Sequence, residues 1–218
     1  HIPGSRYLPL SAITVERNGV VMELPPVEAL DSVLESVGIG DSSRVVITGD
    51  ALSAARLFFT LDYMGHGDRA ALLDGGTPAW VAAEFPVAME ATTATPGVLT
   101  PEPRPALVAD AIWVRAHLGD STVALLDARP PGDYAGTPGS APPTGHLPGA
   151  KNIFWKSTQA GSPPVLLERD TLDAMFRAAG VAPGDLVVTY CNTGVQASFL
   201  YFVARYLGHH VRMYDGSF

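Results

Sequence analysis

"LVVTYCNTGVQASFLYFVARYLGHHVRMYDGS", residues 186 to 217, carries the reading of the fold. Its first five residues are a short branched and aromatic run of the length of a buried strand. Asn192, Thr193 and Gly194 then interrupt it as a turn does. From Val195 onward Phe199, Phe202, Val203 and Tyr206 recur at helical spacing, and Gly208 closes the run as a C-terminal cap. "VRMY", 211–214, reads as a second strand. Strand, loop, helix and strand in that order build a parallel sheet covered by helices. In such sheets the ligand crevice opens beyond the carboxyl ends of the strands. The single cysteine, Cys191, stands at that end.

The pattern occurs twice. "RVVITGDALSAARLFFTLDYMGHGDRAALLDGG" at 44–76 matches 186–217, and "HIPGSRYLPL" at 1–10 matches "HLPGAKNIFW" at 146–155. The chain is therefore read as a tandem duplication. Between the copies, "MEATTATPGVLTPEPRPAL" (89–107) is rich in Pro and Thr and lacks either period, as a linker does. These boundaries give an N-terminal domain at 1–90, a linker at 91–105 and a C-terminal domain at 106–218. Within the second, 107–118 and 167–180 have helical spacing and 122–128 reads as a strand. The expected fold class is α/β, two domains each with a mostly parallel sheet flanked by helices on both faces. By the repeat, the first copy is expected to lack the counterpart of about residues 106–145, and the second its terminal helix.

Composition narrows the function. The chain has 218 residues, 47% of them apolar, and a formal charge of -8. That charge, with no basic stripe, opposes binding to nucleic acid or to anionic lipid. No apolar run has the length of a membrane span. One cysteine excludes an internal disulfide and a multi-thiolate zinc site, and no HExxH pattern occurs. No metal or cofactor is expected. The compartment, bacterial cytoplasm or periplasm, is left open.

A loop passing from a strand end into a helix start turns successive backbone N–H groups inward, and the helix dipole adds partial positive charge. Such a site favours an anion. For Cys191 the anion is the thiolate, the nucleophilic form of the side chain. Gly194 lets the backbone curl around the sulfur without a Cβ in the way.

"DAR" at 127–129, "GHLPGA" at 145–150, "YCNTGVQAS" at 190–198 and "YDGS" at 214–217 resemble the rhodanese homology domain in its tandem sulfurtransferase form. The resemblance covers nearly the whole chain, with the motifs in family order. It implies that Cys191 accepts a sulfane sulfur as a persulfide and passes it to a thiophilic acceptor such as cyanide. It also implies that Arg129 faces the loop and holds the donor's anionic group, while the amides of Asn192, Thr193, Gly194, Val195 and Gln196 cradle the persulfide. The partners are then a small anionic sulfur donor and a thiophilic acceptor, met by a monomer. Gly49 or Asp50 stands where the second copy has Cys191, so the first domain is expected to wall the cleft and do no chemistry. His1 and His146 occupy equivalent H-[IL]-P-G turns and read as structural, and His209 and His210 as exposed loop residues.

Two other classes fit less well. A cysteine phosphatase needs Arg six residues after the cysteine to grip phosphate, and that position is Ala197. A non-enzymatic binding module has no need to keep a cysteine in a small-residue loop. The donor is less sharply marked. Asn192-Thr193 lacks the basic residues of thiosulfate-type loops, and Thr193 resembles the hydroxyl of the mercaptopyruvate type. Yet 129–136 supplies no second arginine and 5–14 no acidic residue, both features of the mercaptopyruvate type. The balance favours thiosulfate, with 3-mercaptopyruvate as the alternative.

Overall fold

Residues 1–17, 19–137 and 144–217 are described by the computed structural model. The chain separates into two units, His1–Pro105 with Gly161–Val165, and Ala106–Ala160 with Leu166–Phe218. Phe218 itself lies outside the described residues.

In the first unit, strands β1 (Val15–Arg17) and β2 (Val20–Glu23) form an antiparallel hairpin, followed by helix α1 (Val27–Ser36). Strand β3 (Val45–Ile47) then runs through helix α2 (Ala51–Tyr63) into the parallel strand β4 (Ala70–Leu72) and helix α3 (Gly76–Ala82). The Asp50 carboxylate starts α2 by accepting the Ser53 amide at 3.0 Å, the side-chain cap that Asp supplies to unpaired helix donors. Ala55, Phe59 and Leu61 of α2 are fully buried. The parallel sheet of this unit is two-stranded among the described residues. It is narrower than the covered sheet expected for each copy.

The Pro-rich stretch after α3 is irregular, as expected, but it is tied down. Leu99 is buried and its amide donates to the Glu35 carboxylate at 2.8 Å. The Thr100 amide and hydroxyl reach Asp41 at 2.7 and 2.9 Å, and Arg104 reaches the buried Asp62 at 3.2 Å. Prolines deny this segment a ladder of its own, so polar side chains of the first unit meet its remaining polar groups one by one.

The second unit holds strand β5 (Val108–Ala109), helix α4 (Ala111–Ala116), strand β6 (Val123–Asp127), helix α5 (Pro131–Ala135) and strand β7 (Lys151–Asn152). Short strands β8 (Gln159–Ala160) and β9 (Val165–Leu166) follow, Val165 counting with the first unit, then helix α6 (Arg169–Ala178), strand β10 (Leu186–Tyr190), helix α7 (Val195–Leu207) and strand β11 (His210–Tyr214). Its sheet runs β5-β11-β10-β6-β7, and every neighbouring pair is parallel. The helix expected over 107–118 is shorter. Asp110 accepts the Trp113 amide at 2.7 Å and starts α4 there, which frees Val108–Ala109 to pair with β11.

β10 lies at the centre, with Val187, Val188, Thr189 and Tyr190 buried, as a branched and aromatic run in a central parallel strand is. On one side Val188 and Tyr190 pack with Ala109, Val114, Leu125 and Ala150. α7 contributes a fully buried Leu200, Tyr201, Val203 and Ala204, and α6 contributes Leu172 and Phe176. Each buried Val, Leu or Phe side chain among these stabilises the fold by about 1.5–3 kcal/mol. The fold is α/β, with a central parallel sheet flanked by helices. Among the described residues no helix is long and apolar enough to cross a membrane.

His210, expected in an exposed loop, opens β11 and is exposed; His209 departs from that expectation. Its ring stacks on Phe176 with centroids 5.4 Å apart and planes 8° apart, and it is half-buried. Burial of the ring lowers its pKa below the ordinary histidine value.

Candidate active site

Cys191 follows the last residue of β10, and three residues separate it from α7. The loop exists because Gly194 takes a left-handed conformation, φ 77°, immediately before Val195. A side chain there would strain the backbone. The Gly194 carbonyl accepts the Ser198 amide at 2.9 Å and the Ser198 hydroxyl at 2.8 Å, so the loop leaves into α7 along a fixed path. The Thr189 hydroxyl donates to the Ala197 carbonyl at 3.1 Å and ties strand to helix beneath it.

Inside this turn the cysteine is only 1% exposed. The Thr193 amide points back at Cys191 Sγ from 3.5 Å, within the range of hydrogen bonds to sulfur. Asn192 is exposed, while Thr193, Val195 and Gln196 are half-buried and Gly194 is buried. Of the five residues named from the sequence, Val195 and Gln196 open α7, and the Thr193 amide is the one directed at the sulfur among the described residues. The Gln196 Oε1 is buried without a hydrogen-bond partner among the described residues.

Arg129 lies on the same side of the sheet end, 3% exposed, but its guanidinium is turned into the protein. Nε donates to both Asp127 oxygens at 3.0 and 3.1 Å, and Nη2 donates to Asp127 Oδ2 at 2.6 Å and to the Gly145 carbonyl at 2.5 Å. Nη1 donates to Asn192 Oδ1 at 3.3 Å. The Arg129 amide also donates to Asp127 Oδ1, at 2.9 Å, and the guanidinium carbon stands 5.9 Å from the Tyr190 ring centre. Burial opposes the arginine charge, but the hydrogen bond and the charge of Asp127 outweigh it and raise the Arg129 pKa. Tyr190, whose hydroxyl accepts the Leu147 amide at 3.1 Å, is held neutral far into alkaline pH by burial and by Asp127.

The pair is assembled by strand geometry. Residues two apart at a strand end point the same way, so Asp127 and Arg129 meet. The Asn152 amide nitrogen clamps the backbone between them, donating to the Asp127 and Arg129 carbonyls at 2.9 and 2.8 Å. The sequence places Arg129 beside the loop and admits a local pairing with Asp127, which the structure shows, but it does not identify the Asn192 side chain as a contact of Arg129. The i, i+2 spacing within "DAR" was the available signal for that pairing.

The remaining histidines of the repeated turns pack. His146 stacks on Tyr134 at 3.8 Å and its Nδ1 meets the Tyr134 carbonyl at 2.9 Å, while His1 Nε2 meets the Glu90 carbonyl at 2.9 Å. In the first unit, the matching registers of β3 with β4 and β10 with β11 put Gly49 opposite Cys191. Asp50 there caps α2, and residues 1–105 contain no thiol.

A rhodanese-like domain model matches residues 110–218. A thiosulfate sulfurtransferase of Pseudomonas aeruginosa is 31% identical over the whole of this chain and 80% of its own length. A probable 3-mercaptopyruvate sulfurtransferase of the same organism is 33% identical, over the whole of this chain and 79% of its own. Among solved structures, an EanB variant in complex with ergothioneine superposes with a TM-score of 0.86 at 25% identity. It covers all of this chain, which spans only 57% of that longer protein.

Proposed function

Because the chain belongs to the rhodanese-like family and is a sulfurtransferase, with a sulfur donor and a sulfur acceptor as its substrates, we propose that Cys191 carries the sulfur and that thiosulfate supplies it. The Cys191 thiolate attacks the outer sulfur of thiosulfate. A sulfur–sulfur bond forms to Cys191 as the one inside thiosulfate breaks, and sulfite leaves with the electron pair. A thiophilic acceptor such as cyanide then attacks the outer sulfur of the persulfide, thiocyanate departs and the thiolate returns. No net redox partner is required.

The observation that carries this reading is the Thr193 amide directed at Sγ in a buried turn at the start of a 13-residue helix. Each anionic stage, thiolate and persulfide, gains from a preset donor and from the helix terminus. Arg129 faces Asp127 at close range, so its charge is largely matched before any donor binds. It serves the loop, and the anionic group of the donor is met by the backbone amides of residues 192–196. The first unit supplies no nucleophile. The protein works as a monomer.

Relatives named for thiosulfate and for 3-mercaptopyruvate both occur, and the absence of a second arginine over 129–136 favours the compact dianion. Initial rates with each donor and cyanide test the choice. The expected outcome is a higher kcat/KM for thiosulfate. A preference for 3-mercaptopyruvate of about tenfold, or about 1.4 kcal/mol in transition-state binding, overturns it.

A further inference from the structure

We infer that Asn192 is a positioning residue, whose side-chain oxygen, gripped by the buried Arg129, aims the Thr193 amide at the sulfur of Cys191. The inference rests on the reading of Cys191 as the sulfur carrier.

Asn192 is exposed and lies between the two residues that must be held in register, Cys191 and Thr193. Its Oδ1 nonetheless has a fixed address, Nη1 of Arg129 at 3.3 Å. The Arg129 end of that contact is itself tethered. Arg129 is bound by Asp127 through two nitrogens and by the Gly145 carbonyl, and lies over the Tyr190 ring. Asp127 in turn is the last residue of β6, paired with Tyr190 of β10 on one side and Asn152 of β7 on the other. The sheet therefore reaches the loop through a chain of three side chains: Asp127, Arg129, Asn192. The donor to Asn192 is charged, which makes this long contact stronger than a neutral one of the same length.

The loop needs such a clasp. Two residues on, Gly194 provides a backbone with wide freedom. The α7 side of the loop is fixed by Ser198 on the Gly194 carbonyl. Asn192 fixes the β10 side. Between these two points the Thr193 amide is left with one direction, toward Sγ. Because the Asp127 charge opposes that of Arg129, the clasp gives the loop orientation more than it gives the donor a positive charge.

The test uses Asn192→Leu, which keeps volume and removes the acceptor, and Asn192→Asp, which keeps the acceptor and adds a charge. With Asn192→Leu, kcat for sulfur transfer is expected to fall about tenfold, a fraction of what loss of a direct transition-state donor costs, while thermal stability and the KM for thiosulfate stay close to those of the parent. Asn192→Asp should restore kcat through the retained bond to Arg129, and raise KM because a second negative charge faces a dianion. In an Arg129→Met background, Asn192→Leu should add nothing, the non-additivity of two residues in one chain of contacts. Unchanged kcat in Asn192→Leu, or a failure of Asn192→Asp to recover it, overturns the clasp whether or not Arg129→Met folds. Persistence of transfer in Cys191→Ser would instead overturn the underlying assignment of the sulfur carrier.

Discussion

Asp127 and Arg129 are buried together at the end of β6, and the energetics of such pairs decide what their mutants do. Removing one partner leaves an uncompensated charge out of water, which costs about 3–5 kcal/mol. Asp127→Ala is accordingly expected to lower the unfolding free energy obtained from urea titration by that amount and to disorder the cysteine loop through Arg129; a loss below about 1 kcal/mol, within the range of surface pairs, would show the pair to be well hydrated. His209 gives a pH-dependent counterpart. Its folded-state pKa is lowered by burial, so on acidification the unfolded chain takes up the proton first. The stability contributed by the neutral ring is complete above the unfolded value of about 6.5 and is lost as pH falls through the folded one. The fall in Tm between about pH 7.5 and about pH 5.5 should therefore be smaller in His209→Gln than in the parent; equal slopes would contradict it. At this scale Cys191 was legible because one thiol beside a small-residue break has few other readings. The orientation of Arg129 was not, since a sequence names the charge but not which way a side chain turns from a strand end.

The loop between β10 and α7 depends on the backbone more than on side chains. Gly194 at φ 77° is its fixed point. Gly194→Ala places a Cβ in a left-handed conformation at a cost of about 1–2 kcal/mol and shifts the Thr193 amide that faces the sulfur. Sulfur-transfer activity should drop well beyond what that loss of stability explains, as measured by kcat at a temperature where the variant is fully folded by circular dichroism. Full activity would mean that the amide has no part in the chemistry. Strand β11 and helices α6 and α7 were readable from their periods, and β10 from its short branched and aromatic run. The helix at 107–118 was overread. Its helical spacing extends through Val108 and Ala109, but pairing to β11 and the Asp110 cap override that local preference.

Over the whole chain, the duplication was plain in the sequence and its consequence for the sheets only partly so. β3 and β4 repeat the register of β10 and β11, yet Val46 is 68% exposed where its counterpart Val188 is fully buried. β10 has β6 as a second neighbour, whereas β3 pairs only with β4 among the described residues. Repeated sequence therefore gives repeated pairing but not repeated burial, because burial depends on which elements cover the strand. The stretch after α3 shows the same limit, since composition marked it as a linker and only tertiary contacts such as that of Thr100 with Asp41 tie it to the first unit. The proposed function, in contrast, rests on one atom of the second unit, Cys191 Sγ. Intact-protein mass spectrometry after brief exposure to thiosulfate tests it most directly. The expected result is a gain of about 32 Da, one sulfur atom as a persulfide, that is removed by cyanide and never formed by Cys191→Ser. A parent protein that keeps its mass, or a Ser variant that gains the sulfur, would contradict the assignment of Cys191 as the carrier.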